Sequence, residues 1–211
     1  MTDAIRKSSG PPRRPDRLKL AFWLGFAVLS LITASLYDRF LVNIHDPEWA
    51  KFQKWDFLFS HAMTSLAALA LGPWQFSDRL RAGKPKVHRL IGWLYIPCSI
   101  YAGITAGVIA WAHHTPAMTG ALQAFEGCLW ALVTVIALVF ALRREFMLHK
   151  LWMMRSYGFT LVFVLGRLPG LIPHWDWRGV PGELVHLSAI VIALLGPDLI
   201  LATRAGLRRG R

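Results

Sequence analysis

Six apolar runs dominate this chain, at residues 20–38, 57–76, 89–112, 118–142, 151–172 and 183–203. Each exceeds the roughly 18 residues that separate a helix able to cross a bilayer from one buried in a soluble core. Hydrocarbon offers no partner to a backbone N–H or C=O, so each run is predicted to be a helix. Together they predict an all-α, polytopic six-transmembrane-helix bundle in contact with the lipid bilayer. The first run, LAFWLGFAVLSLITASLY, follows a basic, Pro-rich tail and so resembles a secretory signal. Its apolar part is too long for a signal core and no good A-x-A site follows, so it is expected to stay as the first helix.

Charge orders these runs. The chain is 55 % hydrophobic yet carries a formal charge of +12. A soluble protein that grips nucleic acid spreads Lys and Arg over one face; here they cluster between the apolar runs, which argues against a nucleic-acid partner. The tail through Lys19, the 77–90 turn, the 143–150 turn and the C-terminal tail hold eighteen Lys and Arg, against four in the 39–56 and 173–182 loops. The positive-inside rule then places both termini in the cytoplasm and the chain in the cell's inner membrane. Residues 1–18 read as a disordered basic tail, 19–204 as the membrane domain and 205–211 as a second basic tail.

The connections 113–117 and 143–150 are short enough to make runs three, four and five antiparallel neighbours. IHDPEW is expected to start a short interfacial helix at Asp46-Pro47. Pro97, Pro169 and Pro197 predict kinks, and Gly103 with Gly107 predicts a close helix contact. Trp49, Trp55, Trp74, Trp93, Trp111, Trp152, Trp175 and Trp177 fall near run ends, where an indole sits well among headgroups. Cys98 and Cys128 stand singly and are expected to pack as small apolar residues.

Polar groups inside apolar runs are costly, so each is a candidate site residue. His61, Glu126, Arg167 and His186 all lie one to two turns from the predicted outer surface, within about one turn of depth of each other. Glu126 with Arg167 is the expected buried pair. At the inner surface His88 opens run three and His149 opens run five, with Arg155 two turns further on and Asp198 near the inner end of run six.

Two histidines at one depth on different helices is the geometry of a bis-imidazole haem iron site, and His88 with His149 fits it. His61 with His186 would be an outer pair, leaving room for two stacked b haems. Gly92, on the His88 face, would let a flat macrocycle approach the backbone. Arg89 and Arg155 are placed to meet haem propionates. Equally, an interfacial histidine beside Lys or Arg marks a helix boundary without any ligand. His45, His113, His114 and His174 are expected to face solvent. No HExxH, GxSxG, P-loop or dinucleotide fingerprint occurs.

HAMTSLAALALGPWQFSDRLRAGKPKVHRLIGWLY, residues 61–95, and HKLWMMRSYGFTLVFVLGRL, residues 149–168, resemble the bacterial membrane proteins grouped as domain of unknown function 2306. His61, Gly72, Pro73, Gln75, Phe76, His88, Arg89, Gly92, Tyr95, His149, Trp152, Met153, Arg155, Ser156, Tyr157 and Arg167 match that pattern. Its shape is similar to the cytochrome b561 and ferric reductase group, in which histidines on central helices hold two b haems. The resemblance implies His88 paired with His149. At the second site Glu126 stands where a ligand would be expected, with His186 as a substitute.

Three functions follow as expectations. One is transmembrane electron transfer through haem, with quinol or another redox partner, which would make the chain a membrane oxidoreductase. Another is a proton-linked transporter using the His61, Glu126, Arg167 and His186 layer. The third is a membrane scaffold or assembly factor without chemistry of its own.

Overall fold

The computed structural model describes Val28 and residues 55–112, 117–165 and 180–209. The chain divides into two units, 1–44 and 45–211. In the first, Val28 alone is described, and it is helical. The expected first helix, the 1–18 tail, the Asp46-Pro47 helix start, His45, His113, His114, Arg167, Pro169 and His174 fall outside the described residues.

The second unit is helical throughout its described residues, with no strand among them. Its elements are α1 (Trp55–Gln75), α2 (Asp78–Gly83), α3 (Pro85–Ala112), α4 (Ala117–Leu142), α5 (Phe146–Leu165) and α6 (Val180–Arg209). Three described helices are long and apolar enough to cross a membrane: Pro85–Trp111, Met118–Leu142 and Glu183–Thr203. α1 and α5 were expected to cross as well but are less apolar. Each carries a row of polar residues, Ser60, His61, Thr64 and Ser65 on one and Arg155, Ser156 and Thr160 on the other. α6 continues to Arg209, so the start of the expected C-terminal tail is helical.

Local chemistry sets the turns. Ser77 caps α2 by accepting from the Leu80 N–H at 3.2 Å, and Asp78 pairs with Arg81 one turn on. Pro85 opens α3, where its missing N–H has no intrahelical role. Between α4 and α5, Arg144 takes a left-handed conformation (φ 62°). The Glu145 N–H then closes on the Phe140 carbonyl at 2.9 Å, which caps α4.

α1 packs on α3, α3 on α4, α4 on α5, and α5 touches α1 to complete a ring; α6 lies against α4 and α5. Within the ring α3 and α5 therefore face each other across the interior. The tightest seam is α3 on α4, where the predicted Gly103 contact is realised. A Cβ on Gly103 would stand 2.7 Å from the Gly127 carbonyl oxygen, and one on Gly107 3.5 Å from that of Ala124. Small residues that let backbones touch are the usual basis of helix association in lipid.

The interior mixes apolar side chains such as Leu69, Met153 and Phe159 with polar ones. The largest fully buried side chains among the described residues are Tyr95, Thr105, Thr134, Thr160, Ser65, Ser99 and Ser156, every one a hydroxyl. The outer surface is apolar, with Leu90, Trp93, Ile104, Leu132, Ile192 and Leu195 exposed and Trp111 84 % so. Cys98 is half-buried and Cys128 exposed, both as free thiols.

Candidate functional site

At the end of the bundle formed by the α1–α3 and α4–α5 turns, the motif residues interlock. A Cβ on Gly72 would overlap the Tyr157 ring. That ring also lies 5.6 Å from Phe76, and its hydroxyl donates to the Leu69 carbonyl at 3.3 Å. One helix over, Gly92 faces the buried Gln75 carboxamide, whose oxygen would stand 3.4 Å from an added Cβ. The space beside Gly92, expected to admit a macrocycle, is therefore occupied by Gln75.

His88 on α3 and His149 on α5 both lie toward this end, and the charges of Arg81 and then of His149 bear on His88. The His149 Nδ1–H donates to the Ala137 carbonyl at 2.8 Å. That bond fixes the tautomer and leaves Nε2 as the lone-pair nitrogen, the usual preparation of a metal-binding histidine. His88 Nδ1 and Gln75 Nε2 are buried without a hydrogen-bond partner. A b haem takes two imidazole ligands, and His88 with His149 are the residues that would hold one here.

The residues proposed to hold propionates behave differently. Arg89 is exposed. Arg155 donates through Nη2 to Asp198 at 2.8 Å and through Nε to the Leu194 carbonyl at 3.0 Å. Its guanidinium also stacks over Trp152, 4.4 Å from the ring centre. Leu194 lies in the turn before Pro197, where the missing proline N–H loosens the backbone ladder. Arg155 thus ties α5 to α6.

One level inward lies a hydroxyl cluster that sequence reasoning missed. Thr134 donates to the Trp130 carbonyl at 2.8 Å. Ser156 is then left to donate to Thr134 at 2.6 Å and Tyr95 to Ser156 at 2.9 Å, with Thr160 3.3 Å from the same phenol. Ser99 and Trp130 also border the Tyr95 hydroxyl. The available signal was the spacing of Ser156 and Thr160, four apart on one helix face.

The outer polar residues form two separate pairs. His61 donates through Nδ1 to Thr105 at 2.9 Å, because the Thr105 hydroxyl itself donates to the Tyr101 carbonyl at 2.7 Å. On the other side of the α3–α4 seam, His186 Nδ1 lies 2.8 Å from Glu126 Oε2 and its Nε2 3.1 Å from the Gln123 amide nitrogen. As placed, Gln123 donates to Nε2 and Nδ1–H donates to the carboxylate. The expected partner Arg167 lies outside the described residues; among those described, Glu126 pairs with His186. Both ring nitrogens of His186 are engaged, and His61 and His186 take different partners. Gln123, three residues before Glu126 and on its face, was overlooked.

Among the described residues no group of three or more His, Cys, Asp and Glu side chains could hold a metal ion alone. No curated protein and no solved structure matches the chain. The family model described as "Predicted membrane protein (DUF2306)" matches residues 58–203. That stretch contains every interlocking motif residue described above, and the chain belongs to the domain of unknown function 2306 family of predicted membrane proteins.

Proposed function

We propose that this chain is a six-span protein of the cell's inner membrane, with both termini cytoplasmic, that holds one b-type haem between His88 and His149. Electron transfer would be its role, with quinol or another redox partner as donor. When bound, the haem supplies one-electron chemistry; the chain's own residues orient it and exclude water. The carrying observation is the His149 imidazole, held through Nδ1 by the Ala137 carbonyl at 2.8 Å, which leaves Nε2 as the ligand nitrogen. His186, with both nitrogens engaged, argues for one haem rather than two.

The six-span reading draws on length and neighbours. α1 has 21 residues and α5 has 20, and at 1.5 Å per residue each reaches about 30 Å, the thickness of a hydrocarbon core. Each packs against helices that are themselves long and apolar enough to cross. The apolar run at 20–38 would be the first span, and the clustering of positive charge sets the orientation.

A dithionite-reduced minus oxidised spectrum of detergent-purified protein, expressed with haem supplied, tests this reading. The expected result is the α band of a bis-imidazole b haem, lost in His88→Ala. A flat spectrum from folded wild type overturns it and favours a scaffold without chemistry of its own.

A further inference from the structure

We infer that the bundle carries a proton path along one face of α4, running from the Glu126–His186 pair through the Tyr95 hydroxyl cluster to Gln75, and that the protein lets protons equilibrate across the bilayer. This inference is independent of haem.

The path is a row of polar groups at helical spacing. Glu126, Trp130 and Thr134 are four residues apart and so share a face of α4. Glu126 is bonded to His186, Trp130 borders the Tyr95 hydroxyl, and Thr134 is bonded to Ser156. From Tyr95, Gly92 lies one turn back on α3, with Gln75 against it. The eight residues from Glu126 to Thr134 cover about 12 Å.

Within this line the Tyr95 hydroxyl bonds to Ser156 and also takes up Ser99 and the Trp130 indole, while Ser156 bonds on to Thr134. At the two ends Glu126 Oε1 and Gln75 Nε2 are buried without a partner, and an orphaned polar group is destabilising. The carboxylate oxygen only accepts and the amide nitrogen only donates. Water serves both and also relays protons.

The outer pair is suited to loading. With the Gln123 amide nitrogen toward it, His186 Nε2 accepts; turning the amide by half a rotation presents its oxygen to an Nε2–H instead. A proton taken up at Nε2 lets the Nδ1 proton pass to Glu126 Oε2. Rotation of the carboxyl group turns that Oε2 proton away from His186 and inward, where it is released, and the imidazole resets by losing its Nε2 proton and regaining one at Nδ1. One proton enters and one leaves, driven by the pH difference alone.

The test uses vesicles containing the purified protein and a trapped pH-sensitive dye, with potassium and valinomycin clamping the membrane potential. After a pH step the wild type is expected to equilibrate about tenfold faster than protein-free vesicles, as an intramembrane ionisable relay allows. Glu126→Gln and Tyr95→Phe, near-isosteric changes, are each expected to return the rate to the protein-free value, while Glu145→Gln in the exposed turn keeps it. Trp130→Phe provides a further arm should either variant lose its helical circular dichroism. Wild-type vesicles no faster than protein-free ones, or folded Glu126→Gln conducting like wild type, would overturn the inference.

Discussion

His149 and His186 are both half-buried histidines that reach from one helix to the next, and they differ in what is left over. His149 gives one nitrogen to the Ala137 carbonyl and keeps the other. His186 is held at both, by Glu126 and by Gln123. Side-chain type and degree of burial are shared, so the neighbours decide the chemistry. A backbone carbonyl orients an imidazole and leaves a ligand nitrogen, whereas a carboxylate with an amide closes a hydrogen-bonded triad.

The largest effect should come from exchanging the two histidines as targets. His149→Ala is expected to abolish the haem absorbance, whereas His186→Ala is expected to retain it, read from the same difference spectrum. Loss in both variants would mean that the ends of the bundle are not distinct. Next in size, His186→Leu removes the partner of Glu126 and should destabilise the protein by about 3 kcal/mol, as breaking a buried pair does. Glu126→Gln keeps an amide against the ring and should cost about 1 kcal/mol. Tryptophan-detected thermal unfolding in detergent separates the two, and equal costs would mean that the pair behaves as a solvated one.

Smaller effects probe the other end. Arg144→Gly relieves a left-handed backbone at the turn into α5 and should raise stability by about 1 kcal/mol. Smallest of all, Gln75→Leu replaces an amide whose nitrogen has no partner and should change unfolding by less than about 0.5 kcal/mol. A large loss there would show that Gln75 already makes an interaction the static structure lacks.

Much of this was legible in the residues. The apolar runs marked α1 and α3–α6 to within a few residues at most ends, because continuous apolarity over such lengths leaves little alternative to helix. At the outer level the structure brings Glu126 and His186 together. Thr105, the partner of His61, lies between Gly103 and Gly107, which press on Gly127 and Ala124 beside Glu126. Partner choice was not legible. It depends on how each helix is rotated and on which neighbours it has, and hydropathy fixes neither. Arg155 illustrates the difficulty: its depth suggested a propionate, while the packing of α6 on α5 brought Asp198 and the Leu194 carbonyl within reach. The hydroxyl cluster was missed because Ser and Thr barely lower the apolar character of a run, although they come to occupy its centre.

The Tyr95 hydroxyl cluster bears on what solvent this fold requires. A soluble bundle is held closed by the apolar surface it hides, and its exterior can be rewritten with little harm. Here the interior is divided between apolar side chains such as Met153 and Phe159 and hydroxyls such as Tyr95 and Thr134, while large apolar side chains also cover the outside. Replacing that outer layer with charged residues, as is done to bring membrane proteins into water, would leave the apolar share of the core to hold the bundle closed. The alcohols would hydrogen-bond to water as readily as to each other and so would add little to that closure.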